Sequence, residues 1–291
     1  MKSFIVALIL LCFLFPACLY DTPVASSYDD LVGKTPEFKT PVCMTVNDKY
    51  IKSDTPAFLL NGITMVPART LSSALGADNI SWSEATSSAV IKKGVTEITL
   101  YKGRNSAKVN GKTVKLDAPS GIFADRFYVP VRFVSETFNT KVSWENETYT
   151  TKILASDTVV PPNLIGERGY SDSDIYWLSR IINAESGGEP MEGKVAVGNV
   201  VLNRVESELF DDNIYDVIFD TKYGVQFTPT ANGTIHNTPT GDSIVAAKRA
   251  FLGENQAGKS LYFLNPRIST SFWIVENRKF FKAIGKHDFY L

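Results

Sequence analysis

Apolar and polar positions along residues 171–204 follow a helical period, break at a pair of glycines, and resume. Ile175, Leu178, Ile181 and Ile182 recur at the spacing of one buried helix face. Ser171 can act as N-cap, with Asp174 three residues on as a variant capping box. Gly187 and Gly188 are expected to end this helix. Pro190 suits the first position of a second helix running to about Val205. Its Val195, Val197, Val200, Val201 and Leu202 cover much of its circumference and place it centrally in a fold. Further on, the pattern predicts a short helix over 212–219, a turn at Asn232-Gly233 and a helix over 242–252 closed by Gly253. A strand over 260–264, a helix over 278–284 ended by Gly285 and a final strand over 287–290 follow. Residues 169–291 thus read as a mainly helical domain with a small sheet.

The pattern before residue 156 is different. Strand-like alternation dominates and the sequence repeats. Thr64-Met65-Val66-Pro67-Ala68-Arg69 recurs as Phe127-Tyr128-Val129-Pro130-Val131-Arg132, with Arg69 and Arg132 63 positions apart. Ile80-Ser81-Trp82 recurs as Val142-Ser143-Trp144, 62 positions on. Each copy reads as a strand entering Val-Pro-x-Arg, a short helix (70–75 and 133–138), a turn at Gly76 or Asn139, and a strand around the tryptophan. Between the copies, 97–101 and 106–109 alternate as strands, and Asn110-Gly111 is a hairpin turn. The fold class is therefore α+β: a β-rich repeated module over 41–155 joined to a mainly helical domain over 169–291. Residues 156–168, with Pro161-Pro162, read as an interdomain linker, and residues 19–40 as a tether. Arg69, Arg132, Trp82 and Trp144 are expected to pack and hydrogen-bond within the module.

Composition narrows the class. The chain has 291 residues, 44% hydrophobic and 21% charged, with a net charge of −1. That excludes a disordered or collagen-like chain and offers no global attraction to nucleic acid. Lys2 and the apolar run from Phe4 to Phe15 make residues 1–18 an export signal, too short to span a bilayer. Phe15-Pro16-Ala17-Cys18 resembles a lipoprotein processing site, which allows a lipid anchor on Cys18; plain cleavage near Ala17 or Ala25 is the alternative, and an uncleaved anchor a third. No later stretch is long and apolar enough to cross a membrane. Of three cysteines, only Cys43 lies beyond the signal region, so no internal disulfide is expected.

Candidate chemistry gathers at Glu185. It lies two helical turns after Leu178 and so falls on the apolar stripe at the helix C-terminus. Desolvation and the negative end of the helix dipole both disfavour its charged form there. Three outcomes are open to such a glutamate: fraying into solvent, pairing with Arg180 or Arg204, or service as a general acid near neutral pH. Glu189, the nearest other carboxylate, immediately precedes Pro190 and is expected to cap the second helix.

Several motifs in order bear on the choice. Glu185-Ser186-Gly187-Gly188-Glu189-Pro190, Gly193-x-Val195-Ala196-Val197 and Val201-Leu202-Asn203-Arg204 resemble the signature of SleB/CwlJ-type cell-wall hydrolases, the spore-cortex-lytic enzymes. Gln226-Phe227-Thr228, Leu261-Tyr262-Phe263-x-Asn265-Pro266, Trp273 and Ile284-Gly285-Lys286-His287-x-Phe289 continue the resemblance. It implies a lysozyme-like fold, action on the glycan strands of peptidoglycan as a lytic transglycosylase, and Glu185 as the catalytic acid. Many members carry Ala-Arg where this chain has Ser186-Gly187. Gln226, Thr228, Asn232 and Tyr262 are candidate sugar hydrogen-bonders, and Phe227, Tyr262 and Trp273 candidate stacking platforms. Asn203, Arg204 and His287 are expected to be structural. The first half resembles the copper-amine-oxidase N-terminal-like domain of exported proteins. An oxidase needs three copper-binding histidines, and the chain has two histidines in all, His236 and His287. No metal or other cofactor is expected. The expected partners are peptidoglycan and a regulatory or anchoring spore or envelope protein. The alternative is a wall-binding or germination-assembly protein with a degenerate lytic domain.

Overall fold

The computed structural model describes residues 36–291. The expected signal segment and nearly all of the tether lie outside the described residues. The first half runs β1 (Pro41–Val46), β2 (Lys49–Tyr50), β3 (Ala57–Leu60), β4 (Ile63–Pro67), α1 (Ala68–Ala74), β5 (Asn79–Ser83), β6 (Ser88–Lys93), β7 (Thr96–Tyr101), β8 (Ser106–Val109), β9 (Lys112–Lys115), β10 (Gly121–Phe123), β11 (Arg126–Pro130), α2 (Val131–Thr137), β12 (Lys141–Glu145) and β13 (Thr150–Leu154). One sheet orders β10-β11-β4-β3-β1-β13-β12, with β2 beside β1, and a second orders β5-β6-β7-β8-β9.

The sequence repeat is a structural repeat. β4 and β11 pair antiparallel with Val66 opposite Val129, so the two Val-Pro motifs meet at the centre of a local two-fold arrangement. Each strand runs straight into its helix, because proline fixes φ at the junction and has no N–H to leave unpaired; Pro67 and Pro130 sit at the N-cap positions. The helices begin at Ala68 and Val131, two residues earlier than the sequence predicts. Left-handed Gly76 and Asn139 follow them. Asn110 and Gly111 both have positive φ, as the two-residue turn joining β8 to β9 requires. After the tryptophans the copies diverge. The hairpin of β5 and β6 extends into its own sheet, whereas β12 pairs with β13, which joins β1 in parallel.

Both flanking segments are more structured than their composition implies. Phe38 is fully buried, with ring centroids 5.3 Å from Phe58 and 5.9 Å from Tyr128, so the end of the expected tether is part of the module core. In the expected linker Val160 is buried, Ile165 bridges to Ile51, and the Lys52 N–H donates to the Leu164 carbonyl. Apolar residues among the prolines anchor this stretch against the β-rich module.

The second half runs α3 (Asp172–Ser186), α4 (Met191–Val205), α5 (Ile214–Phe219), α6 (Thr228–Asn232), α7 (Gly241–Phe251), β14 (Tyr262–Leu264), α8 (Trp273–Asn277), β15 (Phe280–Ile284) and β16 (His287–Tyr290). Ile175, Leu178, Ile181 and Ile182 of α3 are fully buried with Val195, Val197, Val200 and Val201 of α4. The helix predicted over 278–284 is instead strand β15, the edge of a sheet ordered β14-β16-β15. The two-residue connection to β16, with Gly285 at φ +60°, turns the chain back at once and draws 280–284 into a hairpin. Tertiary pairing overrides the local preference.

The halves meet along α7 and β1. The Lys248 ammonium, almost wholly buried, donates to Cys43 Sγ at 3.0 Å, and the Tyr170 hydroxyl lies 3.3 Å from the same sulfur. Burial pushes the Cys43 thiol up, but the Lys248 charge and the Tyr170 hydrogen bond outweigh it and hold the thiol below its usual range. Arg180 on α3 donates to Glu147 in the turn between β12 and β13 at 3.3 Å. No described helix is long and apolar enough to cross a membrane.

Candidate active site

The site forms where α3 ends. Ser171 accepts from the Asp174 N–H and the Asp174 carboxylate accepts from the Ser171 N–H, the reciprocal cap read from sequence. The helix runs to Ser186 with Glu185 in its last turn. Gly187 does not stop it through a left-handed conformation: its φ is −54°. The chain turns through Gly187 and Gly188, and the Glu189 N–H returns to the Ser186 carbonyl at 2.9 Å. A Cβ on Gly187 would lie 2.6 Å from the Asn183 carbonyl oxygen, so an arginine here requires the backbone to shift.

Glu185 is part-buried. Among the described residues no hydrogen bond or ion pair reaches its carboxyl. Arg180 is committed to Glu147 and stacks on Tyr176, 3.5 Å from the ring centroid. Arg204 bears on Glu185 only through its field. Desolvation raises the Glu185 pKa to about 7, against the opposing pull of Arg204. Near neutral pH the group therefore exchanges a proton readily, as a group serving as acid and then base must.

Glu189 corrects an expectation. It does not cap α4, whose N-cap is Pro190 with no side-chain bond. Its buried carboxylate accepts the Lys286 N–H at 2.8 Å in the turn between β15 and β16. Its carbonyl accepts from buried Lys194. A Cβ on Gly285 would fall within 2.1 Å of Glu189 Oε2, so the turn needs glycine for space as well as for φ. The two glutamates, four residues apart, are thus in opposite states: one open, one tied down.

Facing Glu185 is the Arg204 cation, itself set among aromatic rings. The Arg204 Nε donates to the Leu261 carbonyl at 2.8 Å, the structural role expected of it. Its guanidinium also lies 4.8 Å from the Phe210 ring, 5.0 Å from Phe227 and 5.6 Å from Tyr262. Burial lowers the Arg204 pKa to about 10, opposed by Tyr262, Asp220 and Glu185. Its Nη1 is buried with no partner among the described residues. Arg278 extends the group: it donates to the Tyr262 hydroxyl at 3.1 Å and lies 4.8 Å from the Trp273 ring. Trp273 is 49% exposed and meets Tyr262 edge-on at 6.3 Å. Sequence reasoning gave Arg204 as one alternative partner of Glu185 and did not place Arg278 beside Tyr262 and Trp273. For Arg204 a signal existed, a charged residue among the apolar positions of α4; for Arg278 there was none.

The remaining candidates separate. Phe227 is 2% exposed in the helical core, so the stacking role expected of it is unavailable; its ring supports Arg204. Gln226 is half-buried and donates to the Gly224 carbonyl, and Thr228 is exposed at the start of α6. Asn232 is exposed, and its Oδ1 accepts from the Thr234 N–H and hydroxyl. These residues lie on the loop and short helix that pack beside α3. His287 is buried with its ring edge-on to Phe263, and burial lowers its pKa, consistent with the structural role expected of it. Among the described residues no three His, Cys, Asp or Glu side chains gather as a metal site.

Comparison with known proteins divides the chain where its fold divides. Residues 45–153 match the Copper amine oxidase N-terminal domain model, and residues 188–290 match the Cell Wall Hydrolase model, which begins just past Glu185. A spore cortex-lytic enzyme of Oceanobacillus iheyensis is 40% identical over 133 residues, 46% of this chain and 47% of the relative. The chain thus spans about half the length of that relative. One from Bacillus cereus is 33% identical over 234 residues, 71% of this chain and 88% of the relative. A solved structure, the catalytic domain of the germination-specific lytic transglycosylase SleB from Bacillus anthracis, is 38% identical and covers 43% of this chain and 100% of its own, with a TM-score of 0.40. The extent of the Bacillus cereus match decides the assignment: the chain belongs to the spore cortex-lytic enzyme family.

Proposed function

We propose that the chain is an exported enzyme that cleaves the glycan strand of peptidoglycan between N-acetylmuramic acid and N-acetylglucosamine as a lytic transglycosylase, in cortex lysis at germination or in wall remodelling. The observation that carries this reading is the open, part-buried Glu185 carboxyl with its pKa raised to about 7, while its neighbour Glu189 is held by the Lys286 N–H. Glycosidases ordinarily use two carboxylates. Here one is free, and one suffices for transglycosylation. Protonated Glu185 donates to the glycosidic oxygen as the C1–O bond breaks. The carboxylate then takes the proton of the muramic 6-hydroxyl, whose oxygen closes on C1 to give a 1,6-anhydro sugar. Attack from within the same ring draws on proximity and needs no bound water.

Tyr262 and Trp273 are suited to line the sugar path, and Gln226, Thr228 and Asn232, on the loop and short helix beside α3, to hydrogen-bond sugar hydroxyls. Residues 1–18 direct export in this reading, with Cys18 as the site of any lipid anchor, and a spore or envelope protein is the expected regulatory or anchoring partner. Digestion of purified cortex and vegetative peptidoglycan, side by side, followed by mass analysis, tests the reaction. Anhydromuropeptides are expected. Reducing-end muramic acid would show hydrolysis by water, and retention on sacculi without release would show a binding protein with a degenerate lytic domain.

A further inference from the structure

The repeated module contains one arginine that its fold does not use. Arg132, in the second Val-Pro-x-Arg, donates to Glu136 at 3.0 Å and to the Val142 carbonyl at 3.3 Å. Arg69, its counterpart in the first copy, is exposed and forms no hydrogen bond or ion pair among the described residues, against the structural role expected of it. The tryptophans differ in their surroundings. Trp144 meets Tyr149 tilted, at 5.2 Å and 56°, and is 37% exposed. The Tyr149 hydroxyl lies against Gly241 of the helical domain, and Glu147 beside it binds Arg180. The turn after Trp144 thus holds the helical domain. In the first copy Arg69 and Trp82 line a groove instead. There Trp82 meets Phe127 at 5.1 Å and 56°, in a groove of about 540 Å³ shared with Ile80, Ile122, Ser81 and Thr70. That volume falls within the range of about 300–1,000 Å³ typical of small-ligand sites.

The lining discriminates among ligands. Two part-exposed ring faces present flat apolar surface. Around them stand Arg69, Glu84, Asp125 and the Arg126–Asp54 ion pair. Three acids against two bases give a densely charged polyanion no net attraction, and five charged side chains suit a lipid or apolar peptide poorly. A pyranose has an apolar C–H face for the rings and equatorial hydroxyls for the planar carboxylate and guanidinium groups.

We propose that this groove is a second glycan site, in which a hexosamine ring of the wall polymer packs on Trp82 and Phe127 and hydrogen-bonds to Arg69. The choice of polymer rests on the function proposed above. A glycan strand presents the same unit many times, so a second site on the same chain raises retention by local concentration, with gains of about 10²–10⁴ when both sites can engage.

The test uses the full chain carrying Glu185→Gln, so that the polymer survives the measurement. Retention on purified sacculi is compared with and without Trp82→Ala and, separately, Arg69→Ala, each checked by thermal melting. A fall of about tenfold or more is expected for Trp82→Ala, as for an aromatic anchor, and a smaller fall for exposed Arg69, whose loss disturbs no packing. Titration with a peptide-free N-acetylglucosamine–N-acetylmuramic acid tetrasaccharide should shift the Trp82 indole N–H resonance, identified by its absence in Trp82→Phe. Unchanged retention in both variants overturns the proposal. So does an indole signal that moves with wall peptides and not with the saccharide. Failure of the wild-type chain to release anhydro products would instead count against the proposed reaction, since retention is read with catalysis disabled.

Discussion

Glu185 closes one helix and Glu189 precedes the next, with two glycines between them. Both carboxyls are withdrawn from water to some degree. Only Glu189 receives a fixed donor, the Lys286 N–H. Glu185 receives no donor within the described residues, only the field of Arg204, which desolvation outweighs, and its proton affinity rises. Burial raises the proton affinity of a carboxyl most where no fixed donor offsets it. A carboxylate that accepts a backbone N–H is stabilised as an anion and becomes part of the scaffold.

Substitution should expose this difference most strongly in turnover. Glu185→Gln keeps shape and polarity but cannot transfer a proton, so release of muropeptides should fall by about 10²–10⁴-fold. Glu189→Gln retains an oxygen acceptor for Lys286 and should leave most activity in place. Equal losses in the two variants would erase the distinction and make Glu189 a second catalytic carboxylate.

Stability should show the reverse order. Glu189→Ala leaves the Lys286 N–H without its acceptor and should cost about 1–3 kcal/mol in denaturant melts near pH 7. Glu185→Gln should stabilise the fold, and only at higher pH. A folded pKa of about 7 lies above the ordinary glutamate value of 4.5, so between those values the folded state holds more protons than the unfolded one. The stability associated with Glu185 is therefore fully present below about pH 4.5 and lost as pH rises through about 7. Melts at pH 8 should favour Glu185→Gln by about 1–3 kcal/mol, with the difference closing by pH 4. A constant difference across that range would mean the carboxyl is not desolvated as described.

The smallest effect sharpens the role of Arg204. Its charge opposes the rise in the Glu185 pKa. Activity that requires protonated Glu185 should decline on the alkaline side with a midpoint near pH 7. Arg204→Met should move that midpoint up by about one unit or less, whereas Arg204→Lys should leave it nearly in place. A shift of equal size in both variants would point to altered packing of the Phe210, Phe227 and Tyr262 rings in place of lost charge.

Much of this arrangement was legible in the residues. The capping box at Ser171 and Asp174, the buried stripe of α3 and the Val-Pro repeat are local patterns, each set by a few neighbouring side chains. Left-handed Asn110, Gly111, Gly233 and Gly253 were readable as turns for the same reason. Failures came where the deciding partner is distant in sequence. Residues 278–284 became a strand because β16 pairs with them. Residues 156–168 lost their freedom because Ile165 meets Ile51. Phe227 and Trp273 look alike as aromatic candidates, yet one lies in the core and the other on the surface.

The sequence by itself determined the two-part architecture, the helix that ends on Glu185 and the family motifs around it, since these depend on periodicity and on residue types at short range. Tertiary structure alone decided which glutamate remains open, because a donor 97 positions away reaches Glu189 and none among the described residues reaches Glu185. It alone placed Arg204 and Arg278 beside the tyrosine and tryptophan, and made one repeat copy line a groove while the turn of the other holds the helical domain. Proton affinity and groove chemistry depend on distances between groups far apart in the chain, and only the folded backbone fixes those distances.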